Sequence, residues 1–526
     1  MAKPPSSVLN RRDFIRQAAC AAVGTAAMTS AIRDLRFMNA AVAQSGIGPN
    51  DYKALVCIFL AGGNDSNNLI IPTIQSEYNN YASIRGDILQ IPLNGYPANQ
   101  TVMPISPLNS DGHGYGFHPA CPELVNLFGA SKLALLFNTG TLVNPLTRAQ
   151  YQSSLYKKPP QLFSHADQVT QWQTSIPDQP PLTGWGGRCA DLLAAIQPNA
   201  PVSLSVSLAG ANTFEVGNAV SQYSVSTSGA ISLSGLTAGS TRYNAMTNIL
   251  GLPATNMQVQ AYSSIAAHSI NSGTLLNSAI NDLVKGTPDP SSSVQFWNTP
   301  FPGSSPFQVI TPTTSGQATP TKFNSSLGPQ LKMIARLIEA GSRSVANGGF
   351  GMLRQIFFCT VGGYDLHTNQ TNGGLSSDGT KAVTTFGSHA NLFAELSQCM
   401  NAFQAAMDQI GLLPTHNDPT FSQRVTAFTS SDFGRTFPSN GQGSDHGWGS
   451  HHLILGGAVK GQKTYGKFPT LAINGPDDTN TGRWIPSTAI DQYFATLATW
   501  FGVDSTNLTT VFPNLGRFAT PNLGFL

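Results

Sequence analysis

Four apolar runs without alternation most limit what this chain can fold into: residues 54–60, 133–137, 355–361 and 425–429. A strand with one face in water alternates apolar and polar side chains, so unbroken runs of this length predict strands buried on both faces. Between them, residues 122–128, 327–345 and 390–410 carry helical patterns. In the last of these, Leu392, Phe393, Leu396, Met400, Phe403 and Met407 recur at helical spacing and read as core packing. Strands alternating with helices predict an α/β fold with a mostly parallel central sheet flanked by helices. Residues 200–325 break the pattern. Residues 203–208 and 223–233 alternate with period two, predicting exposed antiparallel hairpins, and the Ser/Thr/Gly/Pro-rich residues 286–321 read as long loops. This loop- and β-rich insertion is read either as a cap shaping a substrate pocket or as structural decoration.

Three of the strands end in one format. The first runs into Gly62-Gly63-Asn64-Asp65, a later one into Gly362-Gly363-Tyr364-Asp365-Leu366-His367, and another into Ser431-Asp432-Phe433-Gly434-Arg435. The last opens a cassette that reaches His452 and holds Asp432, Asp445, Arg435, His446, His451 and His452 among glycines and serines. Charged residues make up only 10% of the chain, against about 25% in an average protein. Such a concentration is therefore poorly explained as solvated surface. Loops at the carboxyl ends of parallel strands converge on one crevice, which should bring Asp65, Asp365 and Asp432 together. Three carboxylates there repel one another unless a cation neutralises them. His367 and His446 add imidazoles, and aspartate with neutral imidazole suits zinc or manganese, one or two ions, better than calcium. Each aspartate taken singly also suits a helix cap. His451 and His452 serve equally as a strand entry, and Asp167 as a helix-start charge or a catalytic group.

The first residues point to export. Arg11-Arg12-Asp13-Phe14 precedes a weakly apolar stretch over residues 18–32 and an Ala41-Val42-Ala43 end, which resembles a twin-arginine signal. On this reading residues 1–43 are removed by the twin-arginine export machinery's route. Residues 44–526 then form one folded domain in the periplasm or outside the cell. The apolar stretch is too short for a stable membrane anchor. Removing residues 1–43 takes the net charge from +2 to about −2, and nothing left resembles a nucleic-acid-binding face. Five cysteines remain. Cys57 and Cys359 lie in apolar runs and read as buried free thiols, while pairing among Cys121, Cys189 and Cys399 is open.

The Gly-Gly-Asn-Asp, Gly-Gly-Tyr-Asp-Leu-His-Thr-Asn-Gln, Ser-Asp-Phe-Gly-Arg-Thr and Gly-Ser-Asp-His-Gly segments resemble motifs of an exported bacterial family. It is catalogued as domain of unknown function 1501, in the alkaline phosphatase-like superfamily. Phe117-His118-Pro119 and residues 164–172 resemble it too. The resemblance implies an alkaline phosphatase-like fold and a metal-dependent hydrolase of small anionic phosphate or sulfate esters. By position, Asp65 and Asp432 would serve one metal, and Asp365, His367 and His446 the other. The superfamily's nucleophile opens a helix after an early strand, which points to Ser164; a plain N-cap serine is the alternative. Arg435 would clamp the anion or form a salt bridge. Phe433 departs from the pattern, since superfamily members commonly carry histidine there. Asp445 or His451 then replaces that ligand, or the site holds one metal, or hydrolysis is lost. In the last case the chain is a non-catalytic exported protein used for ligand binding or envelope assembly.

Overall fold

The computed structural model describes residues 51–526 except 199, 231–236, 238, 286–307, 312–321 and 376–381. The expected signal segment lies outside the described residues. So does most of the loop expected over 286–321.

The strands are β1 (Lys53–Leu60), β2 (Ile70–Pro72), β3 (Met103–Ile105), β4 (Tyr115–Phe117), β5 (Leu133–Gly140), β6 (Ser205–Ser207), β7 (Tyr223–Ser226) and β8 (Gly229–Ala230). They continue as β9 (Gln308–Ile310), β10 (Lys322–Asn324), β11 (Arg354–Val361), β12 (Val425–Ser431), β13 (Ser450–Gly456), β14 (Thr464–Tyr465) and β15 (Thr488–Ala489). One mixed sheet runs β14-β5-β13-β12-β1-β11-β6-β7-β8, with β15 also on β5. β13 runs antiparallel between β5 and β12, and β8 antiparallel to β7; the other pairings are parallel. The four apolar runs are thus the inner strands β1, β5, β11 and β12, and a fifth long strand, β13, lies between β5 and β12.

The helices are α1 (Gln75–Leu89), α2 (Pro122–Gly129), α3 (Arg148–Gln152), α4 (His165–Thr174), α5 (Trp185–Leu193), α6 (Thr241–Leu250), α7 (Met257–Lys285), α8 (Leu327–Ser342), α9 (Ser388–Leu412), α10 (Ile490–Phe501) and α11 (Leu508–Val511). They cover both faces of the sheet, as unbroken apolar strands require. Cys57 is in register with Phe358 and Phe428. Phe428 meets Trp185 of α5 and Phe494 of α10. One residue on, Ile58 and Cys359 face the other side, where Cys399 of α9 lies close to Cys359. All five described cysteines are buried and free. Among the described residues, no helix is long and apolar enough to cross a membrane.

The insertion departs from expectation. Ser205–Ser207 is a buried strand paired in parallel with β11, where an exposed hairpin was expected. Among the described residues, β7 pairs antiparallel with β8, and β9 with β10. Residues 241–285 form two helices, α6 and the 29-residue α7. Their serines, threonines and asparagines mask the helical spacing of the few apolar side chains that touch the core, such as the buried Leu276 and Ala279.

Candidate metal centre

β1, β11 and β12 end level with one another, Leu60 being in register with both Val361 and Ser431. The loops that follow leave the sheet side by side at its carboxyl edge. Gly62 and Gly63 turn the first of them with φ of +115° and +85°, which only glycine adopts readily. A Cβ on Gly62 would stand 2.4 Å from the Asp365 nitrogen, and one on Gly63 2.4 Å from the Phe433 ring. The Gly62 N–H donates to Asp432 Oδ1 at 3.0 Å, joining the first loop to the third. The third loop then doubles back, Arg435 pairing with His446 in an antiparallel bridge. That return brings His446 against the Phe433 ring and Asp445 to His367.

Three imidazoles meet there. His446 Nε2 lies 3.0 Å from His165 Nε2 and 2.9 Å from His367 Nε2. The Asp365 carboxylate joins them, Oδ1 at 3.2 Å from His367 Nε2 and 3.4 Å from His446 Nε2, and Oδ2 at 3.5 Å from His165 Nε2. Each ring's other nitrogen is already engaged. His165 Nδ1 donates to Asp432 Oδ2 at 2.7 Å, His367 Nδ1 to Asp445 Oδ1 at 3.0 Å, and His446 Nδ1 to the Phe163 carbonyl at 2.8 Å. These acceptors place a proton on each Nδ1, so that in the neutral rings Nε2 carries the lone pair. In that state three lone pairs and a carboxylate stand within 3.5 Å of their neighbours, an arrangement that a cation or a shared proton would relieve. Donors about 2.1 Å from one ion sit about 3 to 3.4 Å apart, close to the spacing His446 Nε2 keeps to each of its two neighbours, and the donors that lie near enough to one another to share an ion are those of His165, Asp365 and His446.

Phe433 forms the floor. It is fully buried, its ring centre 4.8 Å from that of His165 and 4.6 Å from that of His446. Burial lowers the His446 pKa and favours the neutral ring that a metal needs. Burial pushes the Asp365 carboxyl up, but the Arg435 hydrogen bond and charge outweigh it and hold it below the usual carboxylate range. The Asn440 hydrogen bond, ahead of the His367 contact, holds Asp445 low as well.

The structure brings together Asp365, His367 and His446 of the residues expected as ligands. Asp432 and Asp445 lie behind the histidines and orient them. Asp432 is 3% exposed with both oxygens engaged, whereas the Asp365 side chain is 47% exposed. Asp65 is a correction. Its carboxylate is buried against the Arg85 guanidinium and accepts from Gln370 Nε2 at 2.6 Å and Asn67 Nδ2 at 3.2 Å. Burial would raise its pKa, and Arg85 reverses that. Those partners fill the oxygens expected to face an ion. Of the two roles expected of Arg435, the structure shows the salt bridge. The residue is 1% exposed and donates to the Gly63 carbonyl, the Tyr364 carbonyl and Asp365 Oδ1, so it positions Asp365 and has no exposed fork for an anion. Ser164 sits at the N-cap of α4, its Oγ donating to Asp167 Oδ2 at 2.6 Å.

His165 was not expected as a ligand. Position 433 lacks the looked-for imidazole, yet one arrives above the Phe433 ring from the start of α4. The approach to α4 is strained, since Gln161 and Phe163 adopt φ of +50° and +73°, and such strain clusters at functional sites. His451 is not part of the cluster; it is buried in β13 and accepts from the Asn138 N–H at 3.1 Å. His452 is likewise buried in β13.

No curated protein matches the chain. Residues 311–516, which hold Asp365, His367, Asp432, Arg435, Asp445 and His446, match the family model described as "Protein of unknown function (DUF1501)", and this match supports that family.

Proposed function

We propose that this protein is a metal-dependent hydrolase of phosphate or sulfate esters on an alkaline phosphatase-like scaffold, with one divalent ion. The observation that carries the reading is the convergence of three Nε2 atoms on Asp365, each ring turned by an acceptor on its Nδ1. Metal-binding histidines are held in this way, by a carboxylate or carbonyl on the far nitrogen. The residues present fit zinc, manganese or a similar ion bound by His165, His446 and Asp365, with His367 beside them. One ion is the better count, because Asp65 is consumed by Arg85 and Asp432 by His165. When bound, the ion supplies Lewis acidity toward an ester's oxygens.

The chain's own residues supply the rest. Arg435 fixes Asp365, while Asp432 and Asp445 fix His165 and His367. Ser164 is the nucleophile of this reading, one residue before His165 at a helix start. Its Oγ forms the new bond to phosphorus or sulfur as the ester oxygen leaves, its proton passing through Asp167, 2.6 Å away, to the leaving oxygen, and water then cleaves the phospho- or sulfo-serine to free Ser164 and the inorganic anion. An export route that carries folded protein suits a metal loaded before export.

The test is a panel of phosphate and sulfate monoesters offered to protein loaded with zinc or manganese. Hydrolysis is expected, falling about 10²–10⁴-fold in Ser164→Ala and Asp167→Asn with metal content unchanged. Metal-loaded protein that cleaves none of these esters would contradict the proposal.

A further inference from the structure

Arg483 lies against this site, where its charge helps to hold Asp445 low. Its Nε donates to the His446 carbonyl at 2.7 Å. Its guanidinium carbon stands 4.3 Å from the centre of the Phe163 ring. Phe163 is the residue whose carbonyl holds His446 Nδ1, so one face of the arginine rests on a wall of the cluster. The backbone is fixed too: the Arg483 N–H donates to Asp478 Oδ1, which also receives the N–H groups of Asn480 and Gly482. Next to it, the buried Trp484 donates its indole N–H to Asn67 Oδ1 at 2.8 Å.

Nη1 and Nη2 of Arg483 make no hydrogen bond or ion pair among the described residues, and neither is sealed from solvent. The two other arginines near the strand ends are spent. Arg435 is committed to Asp365 and two carbonyls, and Arg85 to Asp65 and the carbonyls of Thr436 and Phe437. A rigidly seated guanidinium with a free two-nitrogen fork matches two oxygens of a tetrahedral anion. The ring beneath it holds the plane of the fork by cation–π contact.

We propose that Arg483 is the anion-recognition residue of this site. Its fork takes two oxygens of a phosphoryl or sulfuryl group, and the group's remaining oxygens face His165, His367, His446 and Asp365. This rests on the metal-dependent reading above, and it moves substrate recognition from Arg435 to a residue outside the strand-end motifs. Arg483→Lys keeps the charge but loses the fork, and Arg483→Gln loses both.

The experiment uses cobalt(II)-loaded full-length protein, whose visible bands report the ligands around the ion. Inorganic phosphate and inorganic sulfate are titrated in turn. In the wild type at least one anion shifts the bands. In Arg483→Gln the anion-free bands are unchanged and that affinity falls about 10- to 100-fold, with Arg483→Lys between the two. Equal affinity in all three proteins, or no anion response in cobalt-loaded wild type, overturns the role of Arg483 and leaves the metal reading standing. Failure of the wild type to bind cobalt overturns both. Should Arg483→Gln not fold, Arg483→Lys decides the question, since weaker anion binding supports the role of the fork and unchanged binding overturns it.

Discussion

Asp65 and Asp365 open their loops in the same Gly-Gly-x-Asp format, yet burial and partners give them opposite work. Asp65 is 2% exposed and paired with Arg85, which is fully buried. Removing one partner of such a pair strands a buried charge, at about 3–5 kcal/mol. Asp365 is half-exposed and faces three imidazoles. Asp65→Ala should therefore lower the melting temperature sharply while the folded fraction keeps its metal. Asp365→Asn should lose the metal with a far smaller effect on stability of the metal-free protein. Melting curves with and without chelator, beside metal content, check the pair; metal loss in both variants alike would return Asp65 to the centre. Arg85 lies 20 residues from Asp65, inside a weakly amphipathic helix. The capture of Asp65 was therefore not readable from its own motif.

At the scale of elements, the site is a meeting of three strand-end loops with the start of α4. The contact from α4 is the His165–Asp432 hydrogen bond of 2.7 Å. Asp432→Asn offers a poorer acceptor to His165 Nδ1 and lets the ring turn. Metal affinity is then expected to fall about 10- to 100-fold, and amide exchange over residues 161–168 to quicken. Unchanged exchange there would show that α4 is held by its packing alone, through the buried Trp172 and Gln168. Strands β1, β5, β11 and β12 were legible in the sequence, because a strand buried on both faces cannot hide its composition. So were Asp365, His367 and His446, which belong to the motifs that follow those strands. His165 was not, because it belongs to a helix start with no apolar strand directly before it. Two signals were present: the Pro159-Pro160 pair that ends the preceding segment, and a lone histidine beside a helix-capping serine. Helices α6 and α7 were missed for the opposite reason, their polar surfaces resembling a loop.

For the whole molecule, a chain with few charges has buried several of them far from the cluster. Glu215, in the loop after β6, is fully buried, and that burial pushes its pKa up to about 8 despite hydrogen bonds from Asn212 and the Val206 backbone. A carboxyl with a raised folded-state pKa is held neutral in the fold while the unfolded chain ionises. Its contribution is full below the unfolded value near 4.5 and is lost as pH rises to about 8. Glu215→Gln removes this titration. Its stability relative to the wild type should rise between about pH 5 and pH 8, by an amount on the order of a few kcal/mol. Denaturant unfolding of metal-free protein across that range measures it, and a constant difference between the two proteins would count against a neutral buried Glu215.

Positive charge standing among His165, His367, His446 and Asp365 is the condition on which everything above depends. Metal content of full-length protein, purified without chelator after folding in the cell, tests this directly, with His165→Ala prepared alongside. About one zinc, manganese or similar ion per chain is expected in the wild type, strongly depleted in His165→Ala. A metal-free wild type that neither takes up such an ion nor gains stability from it would contradict the metal centre itself.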